Sequence, residues 1–390
     1  MSAAASRTDI QVDTVIFKVA QRCNLDCTYC YVYNRGDESW RERPTFAAEP
    51  VIRRLGTRIA EHCERHGVDR FTVELHGGEP LLLGKRRMRA LLTLLLAAAA
   101  PAAPRIVMQT NGLLLDREWL ALFAEYDLSF GVSLDGPPEF ADRRRVLRRG
   151  GGSTRMLLAK LAALREEDPL FEQLFGGCLC VVDPQMHGGE LVQWFADQGI
   201  SAFDFLLPDG NYVNPPQDWT GVAPYRRFLL EAFEHWYHMG RAAPRIRKFE
   251  LMMTALMGAK VRLDALGGDL RRLCVVESDG SIGVNDVARI CGGEFSRDVL
   301  NIFDHPLDAH IARYRVGETQ RPCAECRSCT NFVSCGGGYL PHRFDGRGFD
   351  NPSLYCDALY ALSERMTRAL EADLPPAARV AEPAAMPAGG

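Results

Sequence analysis

The fold of this chain is signalled by residues 17–34, which are FKVAQRCNLDCTYCYVYN. An apolar strand pattern runs directly into three closely spaced cysteines, Cys23, Cys27 and Cys30, which we call the cysteine loop (residues 23–30). Three thiolates at the spacing Cys-x3-Cys-x2-Cys suit three corners of a four-iron, four-sulfur cluster, whereas ferredoxin runs supply a fourth cysteine or use another spacing. One iron then stays open, and an open metal position is a place for an exogenous ligand.

A zinc site, or three buried thiols, is the simpler interpretation of the same cysteines. Two features of the sequence make it the less favoured one. Tyr29 lies between the last two cysteines, and a glycine-rich acidic turn at residues 77–80 follows the next predicted strand. We therefore predict a cluster that binds a small molecule.

Composition limits the classes of partner. Charged residues make up 25% of the 390 residues, and the formal net charge is -4, so nothing indicates binding to nucleic acid or to an anionic membrane. The first ten residues lack the apolar core of a signal peptide. The longest apolar run, residues 90–100, is too short for a bilayer, which needs roughly 20 apolar residues. We predict a cytoplasmic protein with one large α/β domain and an appendage, or with two domains.

The chain has thirteen cysteines, and seven of them lie within residues 274–356. Thiols stay reduced in the cytosol, so this number favours metal clusters over a disulfide framework. Cys63, Cys178 and Cys180 lie in helix or strand patterns instead, and we predict that they are small buried hydrophobic residues.

Short apolar runs alternate with helical patterns through the first half of the chain, which predicts six βα units and a parallel sheet, either open or closed into a barrel. The predicted strands are Thr14–Val19, Phe71–Leu75, Arg105–Gln109, Leu128–Ser133, Gly177–Val182 and Phe203–Leu207. Polar and glycine-rich segments follow four of these strands, at residues 23–30, 77–80, 110–112 and 135–138. Loops at the carboxyl edge of parallel strands suit a barrel-type active site.

The helices carry end signals of their own. Pro50 lies in the first turn of a helix predicted at about 49–66, and Ser153 is the predicted N-cap of a helix at about 153–166. Further along, Val275–Ile282 predicts a hairpin with Asp279-Gly280 at its turn.

The cysteine loop, together with Gly77, Gly78, Glu79 and Pro80, resembles the motifs of the radical S-adenosylmethionine (SAM) enzymes. The resemblance implies a 4Fe-4S cluster whose open iron chelates S-adenosyl-L-methionine and whose electron cleaves it to a 5′-deoxyadenosyl radical. It also implies that Tyr29 and residues 77–80 lie at the cofactor, with the glycine segment at its amino group. Glycines let backbone approach a ligand closely.

Later strand ends offer weaker matches to the same family. Gln109 and Asn111 lie at the end of the third strand and Ser133 and Asp135 at the end of the fourth, at positions that contact cofactor or substrate in peptide-modifying members. Taken singly, Asn111 and Asp135 are ordinary turn residues before glycine. Asp135 is our candidate catalytic base.

Two basic features remain near these strands. Arg155 is a candidate partner of the cofactor carboxylate, and an exposed helix arginine is an equal alternative. The arginine run at residues 143–149 we predict to be a solvated face.

The late cysteines resemble the SPASM extension, which binds auxiliary 4Fe-4S clusters. The resemblance implies two such clusters, and seven cysteines exceed one tetrahedral zinc site. We assign the second cluster to Cys326, Cys329, Cys335 and Cys356. The usual cysteine four residues after Cys335 is Tyr339, so we assign Cys274, Cys291 and Cys323 to the first, with its fourth ligand open.

The predicted architecture is a partial (β/α)6 TIM-like barrel with a C-terminal SPASM/twitch extension. Its predicted parts are a radical SAM barrel at 12–210, a helical linker region at 211–266, an auxiliary-cluster domain at 267–373 and a disordered tail at 374–390.

Segments at 276–282, 335–343 and 348–352 are similar to the maturases that build cyclophanes in ribosomal peptides. This implies a carbon–carbon crosslink between a β-carbon and an aromatic ring of a precursor peptide, and an electron donor such as flavodoxin or ferredoxin. Only about a dozen residues precede the first strand, so we expect the leader to bind the barrel, the extension or a separate leader-binding protein. Formylglycine formation in sulfatases, thioether formation and a non-catalytic iron–sulfur or zinc scaffold are the alternatives.

Overall fold

The computed structural model describes residues 11–373. It divides the chain into two compact units, of which the first runs to Cys180 and adds Asp269–Gln320, and the second comprises Val181–Gly268 and the residues from Arg321. The predicted tail at 374–390 lies outside the described residues. The other predicted domain boundaries stay predictions.

The six predicted barrel strands are present, each within two residues of its expected bounds. The strands of the chain are β1 (Thr14–Ala20), β2 (Thr72–Gly77), β3 (Arg105–Thr110), β4 (Ser129–Ser133), β5 (Phe175–Val181), β6 (Ala202–Leu206), β7 (Arg245–Ile246), β8 (Leu273–Val276) and β9 (Ile282–Gly283).

The helices cover the strands in the expected alternation. They are α1 (Glu49–His66), α2 (Lys85–Ala99), α3 (Arg117–Glu125), α4 (Pro138–Ala141), α5 (Thr154–Glu167), α6 (Leu170–Leu174), α7 (Gly188–Asp197), α8 (Ala223–Met239), α9 (Arg247–Leu256), α10 (Ala309–Arg313), α11 (Val316–Thr319), α12 (Ala324–Arg327), α13 (Phe332–Cys335) and α14 (Cys356–Asp373). Short 3-10 turns lie between several of them.

The sheet of the first unit has the strand order β5-β4-β3-β2-β1-β8-β9. Strands β1 to β5 are parallel to one another, and β8 adds to the free side of β1, also parallel. Six of the seven β1 residues are buried, because a central parallel strand is covered on both faces. The carboxyl ends of β1 to β4 therefore share one edge, where the four polar loops lie.

The predicted hairpin is present as the antiparallel pair β8–β9. Gly280 lies at its turn with φ 88°, a left-handed conformation that glycine adopts without strain. The parallel pairing of β8 with β1 has no local sequence signal, because strand partners far apart in the chain leave no mark on periodicity.

Helix α1 has Pro50 in its first turn and ends at His66, as predicted, with Gly67 as its C-cap residue. Its partner is α2, and the two helices approach closely at Gly56, where an added Cβ would lie 2.7 Å from the Ala98 Cβ. Ser153 is the N-cap residue of α5, as predicted, but its side chain makes no capping hydrogen bond. Asp142 Oδ1 accepts the Ser153 and Thr154 amides instead, at 2.9 and 2.8 Å.

The second unit pairs β6 with β7 in parallel and packs α8 against α7 and α14. Its core is aromatic, with Phe205, Phe228, Phe233 and Phe249 all fully buried. Across residues 11–373, none of the helices combines the length and the apolar character that crossing a bilayer would require.

Candidate active site

The cysteine loop follows β1 directly, and its three thiols interact with one another. Burial raises the pKa of Cys23 to about 12, with Glu79 and the thiols of Cys27 and Cys30 adding to the effect. Burial and the neighbouring thiol of Cys30 raise the pKa of Cys27 to about 11, although Arg145 acts in the opposite direction. Three thiolates held this close need a cation to balance them, so the donor set fits an iron–sulfur cluster.

The glycine segment at 77–80 lies against the end of β1. The Gly78 and Glu79 amides donate to the carbonyls of Ala20 and Arg22 at 2.7 and 2.8 Å. An added Cβ at Gly77 would lie 2.1 Å from the Ala20 carbonyl oxygen, and one at Gly78 would lie 2.3 Å from that of Arg22. In the structure the two glycines therefore permit the close approach of the protein's own backbone, whereas the sequence suggested the approach of a ligand.

The Glu79 carboxylate joins the ends of two strands. It is 1% exposed and accepts hydrogen bonds from Thr110 Oγ1 at 2.7 Å, the Asn111 amide at 2.8 Å and the Leu81 amide at 2.9 Å. Burial raises the pKa of Glu79, although these hydrogen bonds act in the opposite direction. Pro80 begins the short 3-10 helix that follows. Glu79 thus fixes the loop after β3 beside the glycine segment. Thr110 belongs to the predicted polar segment at 110–112, but its hydrogen bond to Glu79 had no sequence signal.

Asn111 reaches the cysteine loop from the end of β3. Its side-chain amide donates to Asn24 Oδ1 at 2.7 Å and lies 3.7 Å from Cys23 Sγ, while its Oδ1 accepts the Leu113 amide. It is therefore both a turn residue and a contact of the cysteine loop.

Two further candidates, Gln109 on β3 and Ser133 on β4, contact each other. Gln109 Nε2 donates to Ser133 Oγ at 3.0 Å.

Asp135 lies in a buried triad with Tyr29 and Arg145. The Tyr29 hydroxyl donates to Asp135 Oδ2 at 2.5 Å, and Arg145 donates to that hydroxyl at 2.7 Å with its nitrogen 3.8 Å from the carboxylate. Burial raises the pKa of Tyr29 well above its ordinary value. The triad anchors the middle of the cysteine loop to the loop after β4.

The arginine run at 143–149 is not simply a solvated face, and that prediction is wrong. Its backbone carbonyls accept the amides of Asp26 and Thr28, Arg148 donates to the Cys23 carbonyl at 2.6 Å, and Arg145 is 6% exposed. The local run of like charges could not show this, because these residues contact a segment more than a hundred residues earlier in the chain. Arg155, a candidate partner of the cofactor carboxylate with an exposed helix arginine as the equal alternative, is exposed near the start of α5.

A second buried polar group lies inside the first unit and was not predicted. Lys18 Nζ on β1 donates to the Tyr31 hydroxyl at 2.6 Å and lies 3.4 Å from His76 Nδ1 and 3.6 Å from Asp286 Oδ2. The Tyr31 hydroxyl donates in turn to Asp286. Burial, aided by Lys18, lowers the pKa of His76 to about 4. The one available signal was a lysine within an otherwise apolar strand.

In the second unit, Cys326, Cys329, Cys335 and Cys356 line one cavity of about 210 Å³, which we call the auxiliary pocket. The pocket has room for a multi-atom cluster, and four cysteines are the usual ligand set of a 4Fe-4S cluster. Burial raises the pKa of Cys335 to about 11, with the neighbouring thiols of Cys356 and Cys329 contributing.

The three cysteines assigned to the first auxiliary cluster are placed as follows. Cys274 on β8 and Cys291 at the end of a 3-10 helix are buried in the first unit. Cys323 belongs to the second unit, where it interacts with the thiols of Cys326 and Cys356. The assignment of these three cysteines to one cluster stays a prediction.

The loop around His342 serves packing. The His342 ring packs edge-to-face against Tyr339 and Tyr355. Burial together with Lys248 lowers the pKa of His342 to about 3. Arg343 donates to the backbone carbonyls of Phe349 and Asn351 at 3.0 and 3.1 Å. The segments 335–343 and 348–352 therefore hold each other in place.

Comparison with known proteins agrees with the family resemblance of the cysteine loop. Residues 17–169 match the model of the Radical SAM superfamily. The chain is 22% identical over 366 residues to a cysteine-type anaerobic sulfatase-maturating enzyme of Clostridium novyi (strain NT), covering 90% of this chain and 94% of that relative.

Solved structures give the same fold. Native anSMEcpe with bound AdoMet and Cp18Cys peptide aligns with a TM-score of 0.77 at 21% identity, over 92% of this chain and 99% of that one. Streptococcus suis SuiB bound to precursor peptide SuiA aligns with a TM-score of 0.58 at 16% identity, over 89% of this chain and 76% of that one. The predicted α/β partial-barrel fold and the predicted class of enzyme are confirmed.

Proposed function

We propose that this peptide-modifying radical SAM enzyme forms a carbon–carbon crosslink in a ribosomally made precursor peptide, between a β-carbon and a nearby aromatic ring. The net change is the loss of two hydrogens, one from each carbon that enters the new bond. One leaves as a hydrogen atom, and the other leaves as a proton and an electron.

The observation that carries the proposal is the presence of two separate thiol sites in one chain. The cysteine loop stands at the carboxyl edge of the parallel sheet, and the auxiliary pocket lies in the second unit. Bound there, SAM and iron–sulfur clusters supply a hydrogen-abstracting radical and an acceptor for the last electron. Oxidative crosslinking requires both.

The chain's own residues position this chemistry. Asn111 and the Tyr29–Asp135–Arg145 triad hold the cysteine loop, and Glu79 fixes the adjacent strand ends. Gln109 and Ser133, which bond each other, stand at the ends of the next two strands and are our candidates for contact with the cofactor.

The proton needs an acceptor, and two carboxylates compete for this role. Asp135, our candidate from the sequence, is paired with Arg145, and Asp286 is paired with Lys18, so a cation balances each of them. They differ in access, because the Asp135 side chain is 6% exposed and that of Asp286 is 13% exposed. The Tyr31 hydroxyl donates a hydrogen bond to Asp286, and Tyr31 directly follows the cysteine loop in the sequence. We therefore place proton transfer on Tyr31 and Asp286, and assign Asp135 to holding the loop.

The test begins with protein purified without oxygen, reconstituted, reduced and given SAM. Replacing Cys23, Cys27 and Cys30 together by alanine should abolish SAM cleavage, because the cluster that binds SAM loses every protein ligand. Cys326→Ala should lower the iron content while SAM cleavage without peptide continues. Cleavage that survives the triple change would contradict the proposal, and so would its complete loss in Cys326→Ala.

The peptide is sought among short open reading frames beside the gene, with a repeated aromatic-x-x motif as the guide. A crosslinked product has lost two hydrogens and resists fragmentation between the linked residues. Asp286→Asn should stop product formation and keep SAM cleavage. Equal product from Asp286→Asn and the wild type would exclude Asp286 as the acceptor.

Formylglycine formation is the second candidate, because a relative named as a sulfatase-maturating enzyme matches along nearly its whole length. An aldehyde product reacts with a hydrazide, whereas a crosslink does not. A hydrazide adduct on a Cys- or Ser-containing peptide would favour this candidate.

Partners follow from the same chemistry. The substrate is a precursor peptide, and a flavodoxin or ferredoxin is the proposed electron donor. A separate leader-binding protein, the barrel or the extension is the proposed site for the leader.

A further inference from the structure

Two histidines and a carboxylate meet on the first unit, and none of the three belongs to the cysteine loop. His62 and His66 lie one turn apart near the end of α1, so their side chains share a face of the helix. Asp308 comes from the segment just before α10. One ligand atom from each of the three residues lies within 4.8 Å of the others.

His62 is oriented by the backbone. Its Nε2 lies 3.0 Å from the Val12 carbonyl oxygen, and a carbonyl only accepts, so Nε2 carries the hydrogen. In the neutral ring Nδ1 then has a lone pair for a ligand. A ring nitrogen that donates to a backbone carbonyl is the usual support of a metal-binding histidine.

His66 and Asp308 are close without being well aligned. His66 Nε2 lies 3.1 Å from Asp308 Oδ2, yet this buried nitrogen makes no hydrogen bond of acceptable geometry within the described part of the chain. An ion pair alone would favour alignment of the N–H with the oxygen. Two ligand atoms directed at a common third atom would show this arrangement instead.

The group is accessible from one side. His62 is 3% exposed, whereas the side chains of His66 and Asp308 are 20% and 23% exposed. Metal therefore has a path of entry, and water can complete the coordination.

We propose that His62, His66 and Asp308 bind a divalent transition metal, with Zn²⁺ as the best match. Two imidazoles and one carboxylate are among the ligand sets that zinc accepts, with water at the fourth position. The ion would join the end of α1 to the segment before α10, and so link two parts of the first unit that are distant in sequence.

The experiment uses reconstituted holoenzyme, so that clusters occupy the cysteines. The protein is dialysed against chelator-buffered zinc, and zinc and iron per chain are counted together by mass spectrometry. The wild type should hold one zinc with unchanged iron. Asp308→Asn, which keeps the shape of the side chain, and His66→Gln should weaken zinc binding by at least about 100-fold, since loss of an outer-shell partner alone costs about 10–100-fold.

His235→Gln with His238→Gln is the matched control, because these histidines also share a helix but bond elsewhere, to Gln193 and to a backbone carbonyl. This variant should keep its zinc. X-ray absorption at the zinc edge should show nitrogen and oxygen neighbours without sulfur. Absence of zinc from the wild type, equal zinc in Asp308→Asn, or a zinc–sulfur contact that Cys274→Ala removes would each overturn the proposal.

Discussion

Arg145 carries its charge in a buried position, and its neighbours determine what its removal costs. Its guanidinium balances Asp135 and donates to Tyr29. Arg145→Gln leaves a buried carboxylate without its cation, which typically costs about 3–5 kcal/mol. We expect urea unfolding to show a free energy of unfolding that is lower by this amount.

The same arginine run provides the control. Arg149 is exposed, and Arg149→Gln should change stability by no more than about 0.5 kcal/mol. Adding Asp135→Asn to Arg145→Gln should recover part of the loss, because the unpaired charge is then absent. Equal losses for Arg145→Gln and Arg149→Gln would show that the buried pair contributes nothing.

Individual residues were predicted unevenly, for a physical reason. The cysteine spacing and the segment at 77–80 are local in sequence, so their position at the strand ends could be foreseen. The contacts of Arg145, Thr110, Tyr31 and Asp286 could not, because each depends on a partner brought in by the fold. Lys18 is the exception, because a lysine within an apolar strand is a local signal of a buried polar contact.

At the level of elements, the cap of α5 gives a clear test. Asp142 accepts two amides of the first turn, whereas the Ser153 hydroxyl donates to the Arg145 carbonyl. Asp142→Ala should destabilise the protein by about 1–2 kcal/mol, and Ser153→Ala by less. Thermal unfolding of both variants checks this, and a larger loss for Ser153→Ala would show that the capping assignment is incorrect.

The strands were predictable because runs of apolar residues between turn residues mark them locally. The pairing between these elements was less predictable. The parallel contact of β1 with β8 and the capping of α5 by Asp142 both join segments that the linear pattern treats as separate.

For the whole molecule, buried neutral histidines make stability depend on pH. The ordinary histidine pKa of 6.5 applies in the unfolded chain, whereas burial lowers it to about 3 for His342 and about 4 for His76. Below pH 6.5 the unfolded chain therefore binds more protons than the native protein, and the free energy of unfolding falls. The loss begins near pH 6.5 and continues to about pH 3 for His342 and about pH 4 for His76.

Between pH 7.5 and 5.5 each of these histidines should remove about 1.4 kcal/mol. His342→Gln should reduce the change in unfolding free energy between these two pH values by that amount, whatever its effect at pH 7.5. His238→Gln, at an exposed position on α8, should leave the change as in the wild type. Urea unfolding at both pH values, with iron content checked, measures it; an unaltered pH dependence in His342→Gln would refute the assignment.

The pairing of β1 has a consequence for how the protein is made. Synthesis runs from the N-terminus, so β1 emerges early and gains β2 soon after, while its other edge waits for β8 near residue 273. An open edge is a template for pairing with another chain. Until the ribosome has passed β8, the strand that leads into the cysteine loop therefore keeps one edge open to misassociation, and a premature stop before that point would release the chain with this edge bare.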